Sequence, residues 1–229
     1  MKTNLSDLTF ILDRSGSMGC LRNAAIEGFN EFLQAQQKAE GEAWLTLIQF
    51  DDQYEVWARA VPVREVKPLD HSTYQPRGST ALLDAIGRTI DEAGRRLAEL
   101  PEAERPGKVI VAIMTDGLEN ASARYSHREI AKMIAHQRSK YSWEFLFLGA
   151  NQDAIATASS LNISARDAAT YAPSAAGTSA SYRAMSRKMA SMRAMAAGAA
   201  GPDLDAAHKP MKDLLKEEEE KGKGKGKKG

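Results

Sequence analysis

Three short polar segments carry oxygen-bearing side chains at spacings suited to metal chemistry: Asp13-Arg14-Ser15-Gly16-Ser17, Arg77-Gly78-Ser79-Thr80 and Thr115-Asp116-Gly117. In the first, Asp13 supplies an anionic oxygen. Ser15 and Ser17 can aim hydroxyls the same way from a tight turn, and Gly16 and Gly19 let the backbone bend sharply. Thr80 would add a hydroxyl and Asp116 a second carboxylate. These are hard oxygen ligands with no His or Cys among them, a set that suits Mg2+, Mn2+ or Ca2+ rather than Zn2+. Two carboxylates do not quench a dication surrounded otherwise by hydroxyls. A coordination position left to water could therefore accept a carboxylate from elsewhere.

Side chains so far apart in sequence meet only if the fold brings them together. Five short apolar runs read as strands: Leu8 to Leu12, Trp44 to Phe50, Tyr54 to Ala60, Val109 to Met114 and Phe145 to Leu148. Val-Ile-Val-Ala-Ile-Met at 109–114 is apolar on both faces, as in a central parallel strand covered by helices. Asp51-Asp52-Gln53 is a turn short enough to make the second and third strands an antiparallel hairpin. Helical stripes fall between: Leu21, Ala25, Phe29, Phe32 and Leu33 within 19–39; Leu82, Ala85, Ile86, Ile90, Ala93 and Leu97 within 81–98; Ile130, Met133 and Ile134 within 126–139, with Ser126 as N-cap; and a short helix over 153–161. Alternating strands and helices predict a doubly wound α/β fold, its central sheet mostly parallel with one short antiparallel edge strand and helices on both faces. In such sheets ligands sit outside the carboxyl ends of the strands, where all three polar segments fall.

At this point the residues resemble a family. Asp13-Arg14-Ser15-Gly16-Ser17-Met18 is similar to the Asp-x-Ser-Gly-Ser-Met signature of von Willebrand factor A (VWA) domains. Their metal-ion-dependent adhesion site (MIDAS) also uses a Thr and an Asp from later loops. Thr80 within Gly-Ser-Thr-Ala-Leu matches the first and Asp116 within Thr-Asp-Gly the second. The resemblance spans residues 5 to about 165 and is nearer to short bacterial and phage members. It implies a Rossmann-like VWA fold and a metal held by Asp13, Ser15, Ser17, Thr80 and Asp116. It also implies a protein partner whose Asp or Glu completes the coordination, with an ATPase as one class of partner. Two rivals stand beside this binding module. A metal-dependent phosphohydrolase would be expected to carry Asp-x-Asp, but Ser15 stands at the second position. A structural or assembly protein would use the domain as a scaffold.

The chain has 229 residues and a net charge of +1, with 43% hydrophobic and 27% charged residues, enough for one sizeable core and too neutral for general nucleic-acid affinity. No membrane-length apolar run or secretory signal is recognised, and Cys20 is a lone cysteine, so the expectation is a cytoplasmic protein without an internal disulfide. The expected organisation is a domain over 1–165, an Ala/Ser/Met-rich segment with a basic helix over 166–200, and a disordered charged tail over 201–229. Within the tail, Glu217 to Gly229 offers nothing apolar to bury, and its Lys-Gly repeats would attract nucleic acid only weakly. Glu119 and Asn120 read as a solvated loop; the alternative for Glu119 is a supporting or rim residue of the site. Arg14 and Arg77 read as flanking charges that either steer an acidic partner or do nothing. Cys20 reads as a small buried hydrophobe, and His71, His127, His136 and His208 as surface residues. Met185, Met189, Met192 and Met195 read as a packing stripe.

Overall fold

The computed structural model describes residues 1–150, 154–198 and 204–225. Six strands form a single sheet: β1 (Lys2–Asp13), β2 (Glu42–Phe50), β3 (Tyr54–Pro62), β4 (Pro106–Thr115), β5 (Glu144–Ala150) and β6 (Ala168–Tyr171), in the order β3-β2-β1-β4-β5-β6. Every neighbouring pair is parallel except β2 and β3, joined by the Asp51–Gln53 turn. The chain winds outward from β1 to β2 and β3, then returns to place β4 on β1's other side. The switch point therefore lies between β1 and β4.

Side chains alternate across the sheet with the strand period of two. Leu8, Phe10 and Leu12 of β1 and Ile110, Ala112 and Met114 of β4 enter one core. Ile11 of β1 and Val109, Val111 and Ile113 of β4 enter the other. The first core is covered by α1 (Arg22–Lys38), α5 (Ala175–Ala196), α6 (Asp205–His208) and α7 (Met211–Lys225). The second is covered by α2 (Leu82–Glu99), α3 (His127–Tyr141) and α4 (Ala154–Ser160). Ser126 caps α3 in a reciprocal pair with Glu129, satisfying donors that the first helical turn leaves open. The expected helix over 19–39 divides into a 3-10 turn at Gly16–Leu21 and then α1. Asp153, within the expected helix at 153–161, lies outside the described residues.

The α/β body extends beyond the expected boundary at residue 165. Strand β6 pairs with β5 from Phe147↔Ala168 to Ala150↔Tyr171. Its Ala-Ala-Thr-Tyr sequence carries almost no strand signal, and the pairing with β5 is what makes it a strand. Met185, Met189 and Met192 of α5 are buried in the core, while Met195 is exposed. Phe10 sits among Phe29, Phe32 and Tyr182, with ring centroids 5.0–5.8 Å apart. Buried Arg193 of α5 donates to the main-chain oxygen of Gln36 at 2.7 Å, tying α5 to α1.

The tail also differs from expectation. Residues 211–225 are helical, and Met211, Leu214 and Leu215 are buried. The acidic run is held by the basic helix: Arg187 of α5 pairs with Glu217 and Glu218, and Arg183 pairs with Glu218. The acidic run that reads as solvated is thus neutralised by the basic helix over three apolar anchors. Residues 226–229 lie outside the described set. Among the described residues, no helix is long and apolar enough to cross a membrane.

Candidate metal site

Asp13 is the last residue of β1 and fully buried. Its Oδ1 accepts the Ser15 N–H at 2.6 Å, which folds the chain back in a tight turn, and its Oδ2 accepts the Thr115 hydroxyl at 2.5 Å. Thr115 ends β4, so this bond closes the switch point between the two strands. The Tyr74 hydroxyl donates to the Asp13 main-chain oxygen at 2.6 Å and fixes the strand end from above.

The turn then delivers its hydroxyls to Asp116. Ser15 Oγ and Ser17 Oγ lie 3.0 Å apart, and Ser17 Oγ donates to Asp116 Oδ1 at 2.5 Å. Thr80 arrives from the loop before α2. A Cβ placed on Gly117 would lie 2.7 Å from Thr80 Oγ1 and 3.4 Å from Ser15 Oγ. Residue 117 must therefore lack a side chain for the three loops to meet. Gly78, with φ +66°, makes the other turn that only glycine takes easily. The structure thus brings Asp13, Ser15, Ser17, Thr80 and Asp116 to one edge of the sheet. Four of the five are buried and Ser17 is exposed, leaving the cluster open to solvent on one side.

The surrounding residues correct three expectations. Glu119 and Asn120 are not a free loop. Asn120 Oδ1 accepts the Thr80 N–H at 2.9 Å, and Glu119 accepts the N–H groups of Leu83, Ala121 and Ser122. Both satisfy main-chain donors around the start of α2, a task for which acidic and amide side chains are suited. Arg14 and Arg77 do not stand free either. Both place Nε on Asp51 Oδ2, at 3.1 and 2.9 Å, and both reach Glu55. Asp51 is fully buried, and its main-chain oxygen accepts the Ala81 N–H at 2.9 Å. It links the Arg14 and Arg77 loops to the segment carrying Thr80. Cys20 is exposed, because the 3-10 turn rotates it outward. The four histidines lie on the surface. In the sequence, Asn120 and Asp51 read as no part of the site, Thr115 reads only as a neighbour of Asp116, and a supporting role for Glu119 stands second to a solvated loop. Their one sequence signal is that each is a hydrogen-bonding side chain next to a ligand candidate or a turn.

The donors to Asp13 and Asp116 are hydroxyl and main-chain groups, with no cationic side chain hydrogen-bonded to either carboxylate among the described residues. Burial pushes Asp13 up to about 6, against the downward pull of the bonds from Thr115 and Ser15, and the nearby Asp116 pushes the same way. Burial also raises Asp116, against the bond from Ser17. Two buried carboxylates that repel each other and lack a counter-charge fit a cation among them. The donor set remains poor in charge, since among the described residues no three His, Cys, Asp or Glu cluster as a metal site.

Matching against protein-family models gives no match, and no curated protein matches in sequence. Solved structures do match. The vWF domain of the type V pili tip protein Mfa5 from Porphyromonas gingivalis superposes at TM-score 0.55 with 13% identity, over 80% of this chain and 94% of that one. A von Willebrand factor type A structure from Catenulispora acidiphila gives TM-score 0.53 and 17% identity, over 81% and 43%. The chain has the VWA fold. Proximal thread matrix protein 1 from the mussel byssus shares it at TM-score 0.57 and 15% identity, over 81% and 46%, so this chain spans less than half of the mussel chain. A further structure of that mussel protein has zinc in its MIDAS motif, at TM-score 0.52 and 16% identity over 74% and 42%. In the VWA fold of the present chain, the oxygen cluster occupies the switch-point edge where ligands collect in doubly wound sheets.

Proposed function

We propose that the chain is a divalent-metal-dependent protein-binding module that captures an Asp or Glu side chain of a partner. One observation carries this reading: two carboxylates and three hydroxyls converge at the switch point with no cationic side chain on the acids, and the cluster opens outward at Ser17. Asp13, Ser15, Ser17, Thr80 and Asp116 would hold the metal, with Mg2+ the first choice. When bound, the ion supplies an electrophilic position for a carboxylate oxygen. The chain's own contribution is to hold five oxygens in place and keep their charge low. The zinc-occupied MIDAS of the mussel protein supports the chemistry of such a site in this fold.

Binding is favoured over hydrolysis by residue 15. Its hydroxyl is engaged with Ser17, so the position that would need a second carboxylate for acid–base work holds none. Leu118 is 64% exposed immediately after Gly117. It gives an incoming partner an apolar contact beside the metal. An ATPase is one partner class that suits the reading.

The test is capture of partners from source lysate by the full chain in Mg2+ and in EDTA, with Asp13→Ala as control. Metal binding by the isolated protein is measured alongside by calorimetry. Metal-dependent capture lost in Asp13→Ala is the expected result. Capture unchanged by EDTA would overturn the reading.

A further inference from the structure

A cavity of about 440 Å3 opens at the opposite end of the sheet from the metal site. It lies where β4 begins at Pro106, whereas the metal cluster lies beyond Thr115. At about 3.3 Å per strand residue the two are roughly 30 Å apart. The cavity is bounded by the last turns of α2 and α3 and by Trp143, just ahead of β5. Its volume falls within the range of small-molecule sites, about 300–1,000 Å3.

Leu97, Pro106, Val109 and Trp143 form its buried apolar lining. Met1 and Tyr141 stand at its mouth, 69% and 55% exposed. They are two of the five large hydrophobic residues exposed among the described residues, and both border this one cavity. The basic side chains on its wall are Arg95, Arg105 and His136, and no Asp or Glu among the described residues lines it. Arg105 is held rigidly, donating to the main-chain oxygens of Leu100 and Ala98 at 3.0 Å each. Arg95 is exposed and has no hydrogen-bond or ion-pair partner among the described residues. A nearly neutral chain thus presents here an apolar hollow whose charged side chains are all basic.

We infer that this cavity binds a small amphipathic anion, an aliphatic or aromatic body ending in a carboxylate, with Arg95 meeting the charge and the Leu97–Val109–Trp143 lining taking the body. The apolar wall selects the body and the one-signed rim selects the head. The inference is independent of the metal-site reading, since no residue is shared.

Decanoate is the probe, titrated calorimetrically into the full chain below its micelle-forming range. The comparison probes are butyrate, which lacks the body, and decyltrimethylammonium, which reverses the charge. Saturable 1:1 binding of decanoate is expected, with both comparison probes weaker by roughly tenfold or more, the scale of a charge-assisted contact or several buried methylenes. Arg95→Glu should weaken decanoate similarly and Arg95→Lys should retain most of it; both substitutions fall on one exposed position of α2 and leave the core intact. Tyr141→Ser should weaken it less. Absence of saturable binding, equal binding of the cation, or undiminished binding to Arg95→Glu would each overturn the proposal. So would sedimentation showing a dimer that Tyr141→Ser dissociates, which would assign the hollow to a second copy of the chain.

Discussion

Thr80 and Asn120 exchange two hydrogen bonds: the Thr80 N–H donates to Asn120 Oδ1 at 2.9 Å, and the Asn120 N–H donates to the Thr80 main-chain oxygen at 3.0 Å. The pair joins the loop that presents one hydroxyl of the site to the loop that presents its second carboxylate. Asn120→Ala removes the acceptor and strands the Thr80 N–H beside a buried side chain. The expected cost is about 1 kcal/mol of stability. Metal affinity should also fall several-fold, because Thr80 Oγ1 is no longer held against Gly117. Calorimetric Mg2+ titration of the variant checks this. Unchanged affinity would show that the loops hold their spacing without the pair.

Proton and metal compete for Asp13. Its folded pKa is raised to about 6, above the usual carboxylate value near 3.8, chiefly by burial. The folded carboxyl therefore takes up a proton before the unfolded one does. The sign follows: in metal-free protein this group's contribution to stability grows as pH falls from 7.5 through 6 towards 4, and is lost as pH rises. The gain in thermal midpoint from added Mg2+ should run oppositely, large at pH 7.5 and much reduced near pH 5. Subtracting the same pH series for Asp13→Asn isolates the effect. That variant should be more stable than wild type in EDTA at pH 7.5 and indifferent to metal. A metal-induced shift that is flat across pH 5 to 7.5 would exclude Asp13 from the ligand set.

Asp51 makes a comparable prediction from farther away. It accepts both arginines and the Ala81 N–H, yet touches none of the five cluster residues by hydrogen bond. Asp51→Asn leaves Arg14 buried with less charge to meet it, a loss on the order of 2–4 kcal/mol. If Asp51 also positions Thr80, Mg2+ affinity measured well below the variant's unfolding temperature should fall as well. A pure stability loss with wild-type affinity would confine Asp51 to scaffolding.

The five oxygen-bearing residues were legible because their types and spacing are unusual at strand ends, and the central strands were legible because β4 and β5 are apolar on both faces and β1 carries a run of apolar residues from Phe10 to Leu12. Other features depend on contacts that sequence spacing does not encode. Asn120 looks like any loop amide until Thr80, 40 residues earlier, is set against it. Strand β6 has two alanines in four residues and exists through β5. The run Glu217–Glu220 looks solvated until Arg187, 30 residues earlier, is brought to Glu217. Arg14 failed as a steering charge for the same reason, since its partners Asp51 and Glu55 lie on another strand's turn and the strand after it.

Gly28 on α1 faces the Tyr182 ring of α5. A Cβ there would lie 2.3 Å from Tyr182 Cδ2 and under 3 Å from two further ring atoms. The ring is wedged against Phe10 and cannot retreat freely. In an exposed helix, Gly→Ala stabilises by about 1 kcal/mol. Here overpacking outweighs propensity, and Gly28→Ala should destabilise by about 1–3 kcal/mol, read from the urea midpoint at constant m-value. A stabilised variant would mean that α5 is free to move away from α1.

The C-terminal helix α7 is expected to behave as part of the folded body. Leu214 is fully buried, so Leu214→Ala should cost about 2–5 kcal/mol in global unfolding. A solvated tail would give no change at all. The ion pairs add a pH signature. Bonds from Lys209 and Arg187 hold Glu217 below the usual carboxylate range. For Glu218, burial pulls upward but the bonds from Lys221 and Arg187 prevail, and its pKa is also lowered. Stability from these groups is therefore present above about pH 4.5 and lost as pH falls through their depressed folded values. Amide exchange of residues 211–223 should accelerate below pH 4.5 beyond the ordinary chemical trend, and Glu217→Gln with Glu218→Gln should remove the excess. Raising salt at pH 7 should have a smaller effect, because the pairs are partly screened from solvent and the apolar anchors do not depend on ionic strength. If Leu214→Ala left the global midpoint unchanged while α7 amides lost protection, α7 would be a separately unfolding appendage that Leu214 helps to hold on the body.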